Sequence, residues 1–219
     1  MRKYQYSTKE FNFRWIVEKY LGTMRLENLH DLDKFEKKLT AGAGDYGDQK
    51  QKLHRKFYNK MDEDPSFKNL YDKFVKDFLA SRVDFEFHYQ RFPTFRIHQP
   101  ENVGVFEFHK DKDYFHSEHE INIFLPMTKA YDSNTVWAES EEDKGDFSPM
   151  EAEYGELFLW DGANLNHGSQ INETGQTRVS FDFRILRCVM AASEFGQTKH
   201  WRTFGAEDAI AYCREVSRD

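Results

Sequence analysis

The sequence predicts an α+β chain, mainly β at its centre: a jelly-roll-like β core with a helical layer before it and a C-terminal helix after it. Three observations carry this reading. Apolar spacing changes from helical to alternating near residue 83. At least seven short β-branched and aromatic segments then follow, divided by turn residues. The 219 residues include 21 Phe, and 16% of the chain is aromatic, which is ample material for one sizeable core. A single domain over 1–219 is expected, with 1–82 as helical support, 83–187 as the jelly-roll core and 188–219 as a C-terminal helical segment.

The elements follow in order. Residues 26–39, LENLHDLDKFEKKL, read as a charged helix. AGAGDYGDQ is a loop, and no Gly-Lys-Ser/Thr follows its glycines to make a phosphate loop. Residues 66–82 place Phe67, Leu70, Tyr71, Phe74, Phe78 and Leu79 at helical spacing, with Ser66 after Pro65 as a start signal. The strands are DFEFHYQRF, TFRIHQ, NVGVFEFHKD, EINIFLPM, NTVWAES, GELFLWDG and TRVSFDFRIL. QPENVG, KAYDSN, EDKGDFSPM, DGANLNHG and NETGQT are the turns between them, and 200–217 is helical again.

Composition removes several function classes. A net charge of −7 and a pI near 5.7 are a poor footprint for nucleic acid, though a few arginines can still serve an anionic ligand. No apolar run has membrane-spanning length, and MRKYQYSTKEFNFRW lacks the apolar stretch of a secretory leader. Cys188 and Cys213 form no CxxC pair, which argues against a thiolate zinc site and against a disulfide framework. The expectation is a cytoplasmic protein whose partner is a small polar substrate rather than a membrane or a nucleic acid.

Strand alternation then selects candidate residues. Glu107, His109 and Asp111 share one face of VFEFHKD, opposite Phe106 and Phe108. An imidazole and a carboxylate side by side can give a metal two adjacent ligands. His167, beyond the strand ELFLW and the turn DGAN, can give a third. Two His and one carboxylate make the facial set that suits non-haem Fe(II). Arg178 and Ser180 share a face of TRVSFDFRI with Asp182 and Arg184, and an Arg fork beside a hydroxyl is a clamp for a carboxylate. His116 and Glu118 form a rival His-x-acid pair; otherwise His116 reads as a loop histidine or a substrate contact. Asn122 reads as a polar group inside the barrel or as a contact to co-substrate or substrate. Glu107, Arg184 and Trp137 are further substrate candidates. Their plain readings are a strand-edge ion pair, a pair with Asp182, and core.

His109-x-Asp111, His167 and Arg178-x-Ser180 together resemble the iron(II)/2-oxoglutarate-dependent oxygenases over about residues 95–187. FHKDxxYxHxxxExNxxLP and NTVWAES are similar to a subgroup containing streptomycin-pathway and Kdo-hydroxylase-like proteins. The resemblance implies a double-stranded β-helix, a jelly-roll variant shared with cupins. It implies Fe(II) on His109, Asp111 and His167, with 2-oxoglutarate on Arg178 and Ser180 and Asn122 near its iron-bound end. It implies dioxygen as the other reactant and hydroxylation of an unactivated C–H bond of a sugar, aminocyclitol or amino acid. Asp111 stands where related halogenases carry a small residue, which favours hydroxylation. A cupin-like isomerase or sugar-binding jelly roll is the alternative, though the closely spaced His-x-His of cupins is absent. A metal-free interaction domain is the other.

Overall fold

The computed structural model describes residues 1–32, 52–104, 108–114 and 116–188. In chain order they form β1 (Arg2–Gln5), α1 (Phe13–Leu21), α2 (Leu29–Leu32), α3 (Lys52–Glu63) and α4 (Ser66–Lys73). Then come β2 (Phe87–Tyr89), β3 (Thr94–His98), β4 (Glu120–Pro126), β5 (Val136–Ala138), β6 (Ser148–Pro149), β7 (Glu156–Trp160), β8 (His167–Ser169) and β9 (Arg178–Arg187). The helix predicted at 26–39 starts as a 3-10 turn, Leu26–Asn28, and passes into α2. Its remainder, the glycine loop after it and the helix predicted at 200–217 lie outside the described residues. The helix predicted at 66–82 is one winding run, with α4 continuing as a π stretch, Phe74–Phe78, and a 3-10 turn, Leu79–Arg82.

The helices have local causes. The Asn12 side chain accepts the Trp15 N–H and caps α1, and Gly22 at φ 73° ends it by donating its N–H to Glu18. A left-handed residue there costs glycine nothing. Along α4 and its extension Phe67, Tyr71, Phe74, Phe78 and Leu79 are buried, as the spacing predicts, while Leu70 is half-buried and Val75 joins the buried set.

All strand pairs are antiparallel. The larger sheet runs β1-β7-β4-β9-β2, with β3 also paired to β9, and the smaller runs β6-β5-β8. One face of the larger sheet carries Phe95, Ile97, Ile123, Leu125, Phe181, Phe183 and Ile185 into a single core with the helices. Phe57 of α3 stacks on Phe95 at 4.2 Å, and Tyr71 meets Phe183 edge-on at 5.1 Å. The opposite face packs Phe124, Phe158 and Trp160 against Ala138 and Met150 in a second, smaller core. The polar side of β4 and β9 is therefore enclosed between sheets.

Some expectations change. β1 and β8 were not expected, and the predicted turn DGANLNHG ends inside β8 because His167 and Gly168 pair with Ala138 and Trp137. The turn EDKGDFSPM likewise contains β6. The strand predicted at 102–111 is present as two bridges, Val103 with Ile171 and His109 with His167, with 105–107 outside the described residues. Cys188 lies one residue past β9, and Cys213 lies outside the described residues. Among the described residues no helix is long and apolar enough to cross a membrane.

Candidate metal centre

His109 and His167 face each other through a two-way bridge: each backbone N–H donates to the other's carbonyl at 2.9 Å. β8 thus sits between β5 and the segment carrying His109. The imidazole centroids are 4.6 Å apart. Asp111 does not lie beside His109 on a strand, as alternation predicted. It opens a 3-10 turn, Asp111–Tyr114. Its N–H donates to Gly162 at 3.1 Å and that of Lys112 to Ala163 at 3.2 Å. The loop after β7 takes the N–H groups a continuing strand would need, so the chain turns and brings the carboxylate back toward both rings.

The three donors converge. Asp111 Oδ1 is 3.5 Å from His109 Nε2 and 3.7 Å from His167 Nε2. One ligand atom from each residue lies within 4.8 Å of the others, close enough to share a cation. Among the described residues this is the metal-capable group; His116 and Glu118 do not form one. His167 Nδ1 is 2.9 Å from the Leu165 carbonyl, which only accepts, so Nδ1 carries the proton and Nε2 keeps its lone pair. Trp160 stands edge-on to that ring at 4.7 Å.

Charge follows position. Asp111 is 4% exposed, and burial, the largest influence, pushes its carboxyl up. The Arg184 charge, the His109 contact, the His167 ring and the Asn122 amide together outweigh burial, so the carboxyl is held well below the usual carboxylate range. Burial pushes His167 down, against the pull of Asp111, and favours the neutral imidazole that binds metals.

Arg178 lies further along the same face of β9. Its Nε donates to the Asn134 carbonyl at 2.9 Å and its Nη1 to Ser180 Oγ at 2.5 Å. It is 3% exposed, and its guanidinium lies 5.7 Å from the Phe124 ring. Gly104 locates it relative to the metal ligands. A Cβ there would lie 3.0 Å from Ser169 Oγ and 3.4 Å from Arg178 Nη2. Ser169 is two residues from His167, so the fork borders the strand that carries a ligand, about 7 Å along it. His98, opposite Arg178 in register, is lowered to about 4 by burial first and by Arg178 second.

The remaining predicted residues have definite places. Asn122 donates from Nδ2 to Asp111 Oδ2 at 2.7 Å. Arg184 does not pair with Asp182. It contacts Asp111 at 2.9 Å and Glu120 at 3.3 Å, and Asp182 pairs with Arg96 at 3.0 Å. His116 is not solvent-facing: its Nδ1 is 2.9 Å from buried Glu120. Trp137 donates to the Asp132 carbonyl, and since Val136 and Ala138 pack between the sheets, its side chain lies on the outer face of β5. Glu107 lies outside the described residues. Sequence reasoning gave Glu120 no role and missed Ser169, although Ser169 carries the i+2 signal of a face shared with His167.

A sheet-borne pair of histidines with one ionised carboxylate defines the class: a protein with a candidate metal centre between two antiparallel sheets. No family model matches the chain. The streptomycin biosynthesis protein StrG of Streptomyces griseus is 36% identical over 189 residues, covering 85% of this chain and 86% of that protein. The chain belongs to the StrG family. Similar solved structures include the non-haem monooxygenase ThoJ in a nickel complex, with TM-score 0.47, 13% identity and coverage of 84% of this chain and 71% of that one. AviO1 from Streptomyces viridochromogenes Tue57 has TM-score 0.44 and 13% identity over 83% of this chain and 86% of that one. HygX from Streptomyces hygroscopicus, with nickel and 2-oxoglutarate bound, has TM-score 0.40 and 11% identity over 57% and 67%. At these scores the likeness is loose, and membership rests on the sequence relative.

Proposed function

We propose that the chain is an Fe(II)- and 2-oxoglutarate-dependent oxygenase that hydroxylates an unactivated C–H bond of a small polar metabolite of sugar, aminocyclitol or amino acid type. The two facing sheets are read as a double-stranded β-helix. The observation that carries the proposal is the convergence of His109, Asp111 and His167 on one point, with an Arg–Ser pair bordering the same inner face.

The donor set fits the metal. Two imidazoles and one ionised carboxylate suit Fe(II) and leave positions for co-substrate. His109, Asp111 and His167 would hold it, and iron when bound supplies the redox chemistry that couples 2-oxoglutarate and dioxygen to substrate oxidation. Arg178 would bind the distal carboxylate of 2-oxoglutarate, oriented by Asn134 and Ser180, through the two-pronged contact an ammonium cannot make. Phe124, beside Arg178, and Trp160, edge-on to His167, would wall the site and exclude water.

Anaerobic titration tests this. Metal-free protein given Fe(II) and then 2-oxoglutarate is expected to develop the weak visible charge-transfer band of the chelate. Asp111→Ala and Arg178→Ala should lose or weaken it, and Glu118→Ala should keep it. Fe(II) binding without any band would move the reading to a cupin-like protein. Absence of metal binding would end it.

A further inference from the structure

We infer that Arg184 is a positioning residue for the metal carboxylate: braced by Glu120, it shares Asp111 Oδ2 with Asn122, so that Asp111 turns only Oδ1 to the cation. The inference rests on the metal reading above and concerns how many oxygens Asp111 gives. Oδ2 receives three N–H donors: Asn122 Nδ2 at 2.7 Å, Arg184 Nη2 at 2.9 Å and Arg184 Nε at 3.2 Å. An oxygen with that many donors has no lone pair left to offer. Oδ1 instead faces the two imidazole Nε2 atoms.

The brace is built on sheet, not loop. Asn122 and Arg184 are directly opposite in the β4–β9 register, and Glu120 is two residues from Asn122 on the same face. Arg184 Nε lies 3.3 Å from Glu120 Oε2, an ion pair that holds the guanidinium beside Asp111. Glu120 has no exposed side-chain surface, and His116 Nδ1 at 2.9 Å and the Ser117 N–H at 3.3 Å hold it in turn. Asn122 has one usable orientation. Reversing its amide would set oxygen against the carboxylate, and a Cβ on Gly162 would come within 2.5 Å of its Nδ2. The sequence places His116 and Arg184 as substrate contacts; this chain of contacts instead commits both to holding a ligand. Fixing one oxygen keeps a coordination position open for an incoming group, and outer partners of this kind change metal affinity about 10- to 100-fold when removed.

The test is Co(II) titration of the metal-free 219-residue chain, followed by its visible d–d band, with thermal melting as a fold control. Arg184→Gln is expected to weaken Co(II) binding about 10- to 100-fold and to shift the band, because a released carboxylate changes the number of donors. Arg184→Lys should restore part of the affinity. Glu120→Gln, which keeps the guanidinium and removes its brace, should shift both readouts the same way by less, and it decides the matter if Arg184→Gln does not fold. Wild-type affinity and an unchanged band in the folded variants would overturn the inference while the metal reading stands. Wild-type protein that takes up no Co(II) would overturn both.

Discussion

The two faces of β9 are chemically opposite, and at Arg178 and Ser180 the polar one is as enclosed as the apolar one. Toward the helices, Phe181 lies 5.5, 4.8 and 5.2 Å from the rings of Phe57, Phe67 and Phe95. Toward the second sheet, Arg178 is 3% and Ser180 0% exposed, yet each contact there is a directed one: Arg178 to Asn134 and Ser180, Arg184 to Asp111 and Glu120. Burial therefore does not distinguish core from site. The apolar face spreads its energy over many exchangeable contacts, whereas the polar face depends on single pairs that leave an unsatisfied partner when broken.

His167→Ala should break the polar side hardest. Metal affinity should fall by more than about 100-fold, since a ligand outweighs the residues behind it, while the melting temperature moves little. Phe181→Ala should do the reverse. It should cost about 3–5 kcal/mol in urea unfolding and leave the metal affinity of the folded protein unchanged. Loss of metal affinity in that variant would erase the contrast between the faces. Arg178→Gln should sharpen it, with 2-oxoglutarate binding about 10- to 100-fold weaker and metal binding kept, by calorimetry with and without co-substrate.

The pH dependence probes both faces together. His54 lies among the helices and His98 beside Arg178, and burial lowers each to about 4. Their unfolded value is near 6.5, so between about 4 and 6.5 the unfolded chain binds protons the native one refuses. Stability is then fully present above about 6.5, falls as pH drops toward 4, and loses nothing further through these two below it. Metal-free His167 is lowered too and adds to the slope. The Asp111 shift acts only below the ordinary carboxylate value, outside this window. Urea midpoints across that range should show the decline, and His98→Asn should flatten it; a pH-independent midpoint would contradict the neutral buried histidines. The smallest effect belongs to the outer face of β5. Trp137→Phe should change metal and 2-oxoglutarate affinity by less than about two-fold in the same titrations.

Much of this was legible in the residues. The helical run at 66–82, the alternation of β4, β7 and β9, and the His-x-Asp, His and Arg-x-Ser sequence could be read because side-chain period and donor chemistry are local properties. β8 was not, since HGS has no strand signal of its own and is a strand because Ala138 and His109 pair with it. The turn at Asp111 was hidden for the same reason: Gly162, far along the chain, accepts its N–H.

By itself the sequence determined which groups are available: two imidazoles, a carboxylate, an Arg fork and an apolar face to carry them. Only the tertiary structure decided who meets whom. Arg184 is opposite Asn122 and next to Asp111, Asp182 belongs to Arg96, and His116 serves Glu120. The reason is physical. Residue type sets what bond a side chain can make, but the partner is set by strand register and loop closure, which depend on the whole chain at once.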